Sequence, residues 1–224
     1  MPGIADLARD ERTARVLLSL LTEPDDPATG RVLARVGAVE AIRVLDGDGA
    51  VPGHSRVDGQ MWRSRLTAQP GVDSLDDRLR RIERTGLSVV VPGDDHWPVA
   101  LNDLGPRAPF LLWVRGASSL LTRPRTDLVT LTGARASTSY GEHVAGELAG
   151  ELASSDRVIV AGGAYGIEGA AHRAALAAGG DTVAVLAGGV DRFYPAGHRE
   201  LLEQVAGVGL LVSEVPPGGS PTRH

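Results

Sequence analysis

The chain has 224 residues, 42% of them apolar, and a formal net charge of -5; that length suits one packed medium domain with a smaller attachment. It contains no cysteine, which excludes disulfide frameworks and thiolate metal sites, and no apolar run nears the roughly 20 residues of a membrane-crossing helix. The charge balance excludes a broad basic footprint for a polyanion: residues 1–126 hold 17 Arg against 17 acids, and residues 127–224 hold 6 Arg against 11 acids.

All 23 basic residues are Arg, so every side-chain cation is the planar, forked kind suited to phosphate. Met1 to Asp10 alternates charged and small residues, with no basic start followed by an apolar stretch, so no signal peptide is expected. The expected location is the cytoplasm.

From Ile4 to about Arg84 the apolar spacing is helical, with Val16, Leu17, Leu20 and Leu21 in one segment and Val32, Leu33, Val36, Val39, Ile42 and Leu45 in the next, around a turn at Gly37. Breaks are expected at Pro24 to Pro27, Asp46 to Gly53 and Gln69 to Gly71. In the segment Leu75 to Arg84, Leu75, Leu79 and Ile82 share one side; its arginines form a solvated face, or a surface for a nucleic-acid backbone.

The pattern changes near Gly86, giving an expected helical domain over 1–86 and a second domain over 87–224. LSVVV is followed by the aromatic and proline-rich DDHWPVALNDLGPRAPFLLWVRG, whose Trp97 and Trp113 read as core residues because their neighbours are apolar. Beyond Leu128, strands and helices alternate: LVTLTG, a helix over Ser139 to Ala153, RVIVAG, a helix over Ile167 to Ala178, TVAVLAG, a helix over Gly197 to Val205, and LLVSEV. This predicts an α/β, doubly wound, mostly parallel sheet, which binds ligands outside the carboxyl ends of its strands.

Three loops fall at those ends. The first, Gly133 to Thr138, offers Gly133 and Ala134, the cation Arg135, and the hydroxyl of Ser137; Ser139 with Glu142 fits a capping box. The second, Gly162, Gly163, Ala164, Tyr165 and Gly166, permits close backbone approach at a helix N-terminus, where anions collect. It is not the G-x-G-x-x-G dinucleotide fingerprint, and its strand ends in glycine instead of an acidic residue, so NAD is disfavoured and no cofactor is expected. Glu168 meets the helix dipole, and His172 reads as a packing or surface residue with no second His at metal spacing. The third loop, Ala187 to Pro195, contributes Gly188 and Arg192, with Phe193 or Tyr194 as stacking surfaces for a base.

In order and spacing these segments resemble the DNA-processing protein A family, also called Smf. WPVALNDLGPRAPFLLWVRG resembles the entry to its Rossmann-like domain, LTGARASTSYG its Gly-Ser-Arg loop, AGGAYGIEGAAHRAAL its Ser-Gly-Leu-Ala-x-Gly-Ile-Asp-x-x-Ala-His motif, and AVLAGGVDRFYPAGHRELLEQVAGVGLLVSEVPPG the stretch that follows. Ala134 stands for the Ser of the first motif, Tyr165 at the variable position of the second, and Glu168 for its Asp. The helical segment is similar to the family's sterile-alpha-motif-like N-terminal domain.

The resemblance implies a dimeric protein that binds single-stranded DNA, protects it during natural transformation, loads a RecA-type recombinase onto it, and catalyses no reaction. The family continues into a basic Phe-x-x-Arg-Asn-Arg motif beyond SEVPPGGSP, so a truncated product with weakened DNA binding is expected. The competing expectation is a nucleotide phosphoribohydrolase of the lysine-decarboxylase-like kind, whose Pro-Gly-Gly-x-Gly-Thr turn PPGGSPT imitates.

Overall fold

A computed structural model describes residues 3–68 and 75–221. The chain divides into two units: Met1–Leu87 with Val99–Leu111, and Ser88–Pro98 with Leu112–His224. The break expected at Gln69 to Gly71 lies outside the described residues.

The first unit is helical: α1 (Ile4–Leu7), α2 (Glu11–Leu21), α3 (Pro27–Asp46), α4 (Arg56–Thr67) and α5 (Leu75–Thr85). Leu17, Leu18, Leu21, Ile42, Trp62, Leu66, Leu75 and Leu111 are among its fully buried large side chains. Asp26 caps α3, accepting from Ala28 N at 3.1 Å and Thr29 Oγ1 at 2.6 Å, and pairs with Arg65 at 2.6 Å. Trp62 Nε1 donates to the same Thr29 oxygen at 2.8 Å, so the buried indole leaves no hydrogen-bonding group unmet.

Gly37 breaks α3 as its position in the sequence suggests, with φ 75° and ψ 176°. The Glu11 carboxylate accepts from Ala38 N at 2.9 Å and so caps the helix that restarts there. Val99–Leu111, read from sequence as part of the second domain, packs in this first unit. A methyl on Gly30 would lie 1.8 Å from Pro106 O, Arg15 Nη1 donates to Phe110 O at 2.8 Å, and Arg107 pairs with Asp25.

The second unit is built on one six-stranded sheet: β1 (Ser88–Val90), β2 (Leu112–Gly116), β3 (Leu128–Thr130), β4 (Val158–Gly162), β5 (Thr182–Val185) and β6 (Leu210–Ser213), in the order β1-β2-β6-β5-β4-β3. The four strands from β3 to β6 are parallel, joined through α6 (Ser139–Ser154), α7 (Ile167–Ala177) and α8 (Arg199–Val208). Because these strands are neighbours in chain order, right-handed crossovers carry all three helices to one face. Ala149, Ala153, Ala171 and Ala175 pack there on Ile159, small side chains that let α6 and α7 approach closely.

Sequence reading leaves the strand LLVSEV with either an exposed edge or a missing neighbour. Instead β2 pairs antiparallel with β6, with Trp113 opposite Ser213 and Arg115 opposite Leu211, and β1 completes the sheet. Trp113 is fully buried and Trp97 is 4% exposed, the core placements expected for both.

Gly37→Ala should lower stability by about 1–3 kcal/mol, because the native dihedrals fall in a region nearly closed to L residues. A lower urea midpoint with an unchanged denaturant slope would show this; an unchanged midpoint would mean that the break tolerates a side chain.

Candidate functional site

The three loops expected from sequence emerge from the carboxyl ends of β3, β4 and β5, and all lie in the second unit. Their contacts with one another set the geometry. Gly166 has φ 76° and ψ -129°, and is buried. A methyl there would lie 2.2 Å from Ala134 O, 2.7 Å from Arg135 O and 2.8 Å from Ser137 Oγ. The first loop therefore crosses directly over Gly166, and Ile167 N, at the start of α7, donates to Ala134 O at 3.3 Å. Gly133 packs as closely on the Ile167 side chain, where a methyl would come within 2.8 Å.

Glu168 joins the same two loops by its carboxylate. Oε1 accepts from Thr132 Oγ1 at 3.0 Å and Oε2 from Ala164 N at 2.9 Å. Gly162 has no side chain to obstruct it; a methyl would lie 2.5 Å from Oε2. Two of the backbone donors expected to face an anion, Ala164 N and Ile167 N, are thus taken by the protein. The second turn is a rigid support with fewer N–H groups to offer than its sequence suggests.

Of the hydroxyl residues that the first loop and its end offer as caps of α6, Thr138 is the one used, not Ser139, its Oγ1 accepting from Gly141 N at 3.1 Å. Ser139 is already helical, and Glu142 accepts from Ser137 Oγ at 2.6 Å, fixing the tail of the first loop. Arg135, by contrast, is exposed, and its side chain has no hydrogen-bonding or ion-pair partner among the described residues. The same holds for Arg192 in the third loop.

His172 is fully buried one turn into α7, the packing role weighed for it from sequence. Its Nε2 lies 2.9 Å from Gly162 O and its Nδ1 2.7 Å from Thr182 Oγ1, so the ring ties the end of β4 to the start of β5. Burial holds its pKa below the ordinary value, against the opposing pull of the Gly162 carbonyl and the Glu168 charge.

The third loop docks on the second through residues that sequence reading does not single out. His198 Nδ1 lies 3.1 Å from Gly163 O, and its ring meets Tyr165 edge-on at 4.7 Å. Gly197 N donates to Tyr165 Oη at 3.2 Å. His198 follows Gly197 in a short polar run, and only their approach in space marks them. Phe193 is half-buried, with the Arg115 guanidinium 5.1 Å and the Arg199 guanidinium 6.0 Å from its ring centre, whereas Tyr194 is 64% exposed. Of the two residues expected to offer a stacking face, Tyr194 is the open one.

Gly188 is buried instead of facing outward: a methyl there would come 3.0 Å from Pro221 Cδ. The segment that imitates a phosphate-binding turn is engaged too, with Gly218 N donating to Asp191 at 2.9 Å and Gly189 N to Gly219 O at 3.0 Å. Among the described residues no group of three His, Asp or Glu gathers as a metal site, and no helix is long and apolar enough to cross a membrane.

Residues 88–224 match the family model described as DNA recombination-mediator protein A. A Mycobacterium tuberculosis protein that carries the name DNA processing protein DprA is 43% identical over 219 residues, which cover 92% of this chain and 54% of that one. The DNA processing protein DprA of Bacillus subtilis is 36% identical over 145 residues, or 65% and 48% of the two chains. The chain spans about half the length of these curated relatives. The structure of DprA from Streptococcus pneumoniae superposes with a TM-score of 0.66 at 26% identity, covering 94% of this chain and 70% of that one. That of DprA from Helicobacter pylori, solved for its single-stranded DNA binding mode, gives 0.53 at 28% identity, covering 62% and 60%.

Two outcomes follow from this geometry. Gly166→Ala should destabilise the second unit by about 1–3 kcal/mol or more, since both the dihedral angles and the Ala134 carbonyl oppose a Cβ; a thermal midpoint equal to that of the unaltered protein would contradict it. For His172 the folded pKa lies below the unfolded one, so the unfolded chain binds the proton more tightly and acid favours unfolding. Stability from this group is present above about pH 6.5 and lost as pH falls below it. Urea midpoints between about pH 7.5 and 5.5 should fall less steeply in His172→Asn, starting from a lower value; parallel profiles would remove His172 as the cause.

Proposed function

Because the chain belongs to the DNA recombination-mediator protein A family, we propose that it is a single-stranded DNA-binding protein of DNA processing, which holds the phosphodiester backbone across the first and second loops. The observation that carries this reading is Arg135. It is an exposed guanidinium without a side-chain partner among the described residues, set on a loop that crosses Gly166, in the half of the chain that is otherwise acidic. A forked cation held there suits a phosphate diester.

Arg135 is the main contact in this reading, with the Gly133 and Ala134 backbone, the Ser137 hydroxyl, the Gly162 and Gly163 turn, Tyr165 and Arg192 beside it. Ala164, Gly166 and Gly188 serve by holding the loops in place. The Helicobacter pylori relative described by its single-stranded DNA binding mode supports the choice of ligand. Within natural transformation the protein would act in the cytoplasm, as a homodimer that protects incoming strands and passes them to a RecA-type recombinase. We assign it no reaction.

Fluorescence anisotropy with oligo-dT across about 50 to 200 mM salt tests this. Affinity should fall linearly on a log–log plot. Arg135→Ala should weaken binding about tenfold, alike for all sequences, and reduce the magnitude of the slope by about 0.7, the loss of one single-strand phosphate contact. Binding that ignores both salt and Arg135 would contradict the reading.

A further inference from the structure

Of the eight aromatic residues other than histidine, four are buried, Phe193 is half-buried and the three tyrosines are exposed. Trp62, Trp97 and Trp113 are at most 4% exposed and Phe110 is 9% exposed, whereas Tyr140, Tyr165 and Tyr194 are 77%, 48% and 64% exposed. Each tyrosine stands on or just after one of the three loops at the carboxyl edge of the sheet. An open ring standing singly is ordinary on a protein surface; what sets one apart is whether it is held in place.

Tyr165 differs from the other two because it is held. Its hydroxyl accepts from Gly197 N at 3.2 Å, and its ring stands at 74° to that of His198 with centres 4.7 Å apart. His198 is itself fixed, 7% exposed, with Nδ1 3.1 Å from Gly163 O and Nε2 3.5 Å from Arg173 Nη1. A methyl on Gly197 would come 2.5 Å from the tyrosine oxygen, so a side chain there would push the ring out of this position. Backbone, imidazole and guanidinium thus lock a ring that keeps about half its surface open, directly beside the glycine over which the Arg135 loop crosses.

We infer that the fixed ring of Tyr165 is a stacking surface for a nucleobase of the bound strand, with His198 and Gly197 as its positioning residues; this rests on the single-stranded DNA reading. A ring that is already immobile loses little side-chain entropy when a base settles on it. Stacking of this kind accepts every base, because each has a π face, and it depends on the presence of bases where Arg135 depends on phosphate.

The test uses two probes of equal length, oligo-dT and an oligomer of abasic deoxyribose phosphates. The unaltered protein should prefer oligo-dT. Tyr165→Ala should weaken oligo-dT binding about tenfold and leave abasic binding unchanged, and His198→Ala should reproduce that base-dependent loss. Tyr165→Phe, which keeps the ring and its contact with His198 but loses the hydrogen bond from Gly197 N, should fall between the unaltered protein and Tyr165→Ala on oligo-dT. A thermal midpoint for Tyr165→Ala near the unaltered value confirms that its fold is intact. Unchanged oligo-dT binding by Tyr165→Ala, or equal weakening on both probes, overturns the stacking assignment alone. Failure of the unaltered protein to bind oligo-dT at low salt overturns the DNA reading, and the stacking assignment with it.

Discussion

The second unit depends on one small exclusion of volume, the absence of a side chain at Gly166. Its dihedrals lie where L residues are strained, and the backbone of Ala134 and Arg135 passes over it at distances that no Cβ permits. That contact joins two loops separated in the chain by a whole helix and strand. Glu168 and Ile167 then reinforce the closure, one by accepting from both loops and the other by donating to Ala134 O. The result is two loops held against each other at the carboxyl edge, with Arg135 exposed on the first.

The same closure changes how an anion is attracted. A helix N-terminus draws anions through unpaired N–H groups and the dipole, yet here loop carbonyls and a carboxylate occupy part of that supply. Ala134 O directs negative charge at the start of α7, and Glu168 adds more within its first turn. On the proposed reading, attraction to phosphate would consequently fall on the guanidinium groups that have no partner among the described residues, and the helix terminus would contribute rigidity.

Much of the parallel core was legible because Val, Ile and Leu runs ending in glycine alternate with small-residue helices, a pattern with few other solutions. Gly37 was legible for a similar reason, as a glycine inside a helical run. The pairing of β2 with β6 was not, because an antiparallel partner almost 100 residues away leaves no local periodicity. Val99–Leu111 was misplaced because its proline and aromatic content resembles the strand that follows it, whereas its packing is decided by the close approach of Pro106 to Gly30. Loop positions were readable from strand ends. The roles within them were not, since Thr138 against Ser139 as the cap, Glu168 as a brace and His198 as a support are settled by distances in space.

The acidic surroundings of the loops have a structural origin that bears on how a polyanion is held. Glu142, Glu168 and Asp191 each accept from a hydroxyl or backbone N–H of the loops or the segment packed on them, so the carboxylates that lower the local potential are the ones that build the surface. They are not removable without loosening it. Salt screens charges beyond about 8–10 Å, so on the proposed reading the long-range pull on a strand is weak and contacts at Arg135 and Arg192 would act at short range. Stacking on a neutral ring is indifferent to neighbouring carboxylates. On the proposed reading, a fixed tyrosine near the exposed guanidinium groups of Arg135 and Arg192 would add binding that further arginines could supply only against the field of the groups holding the loops together.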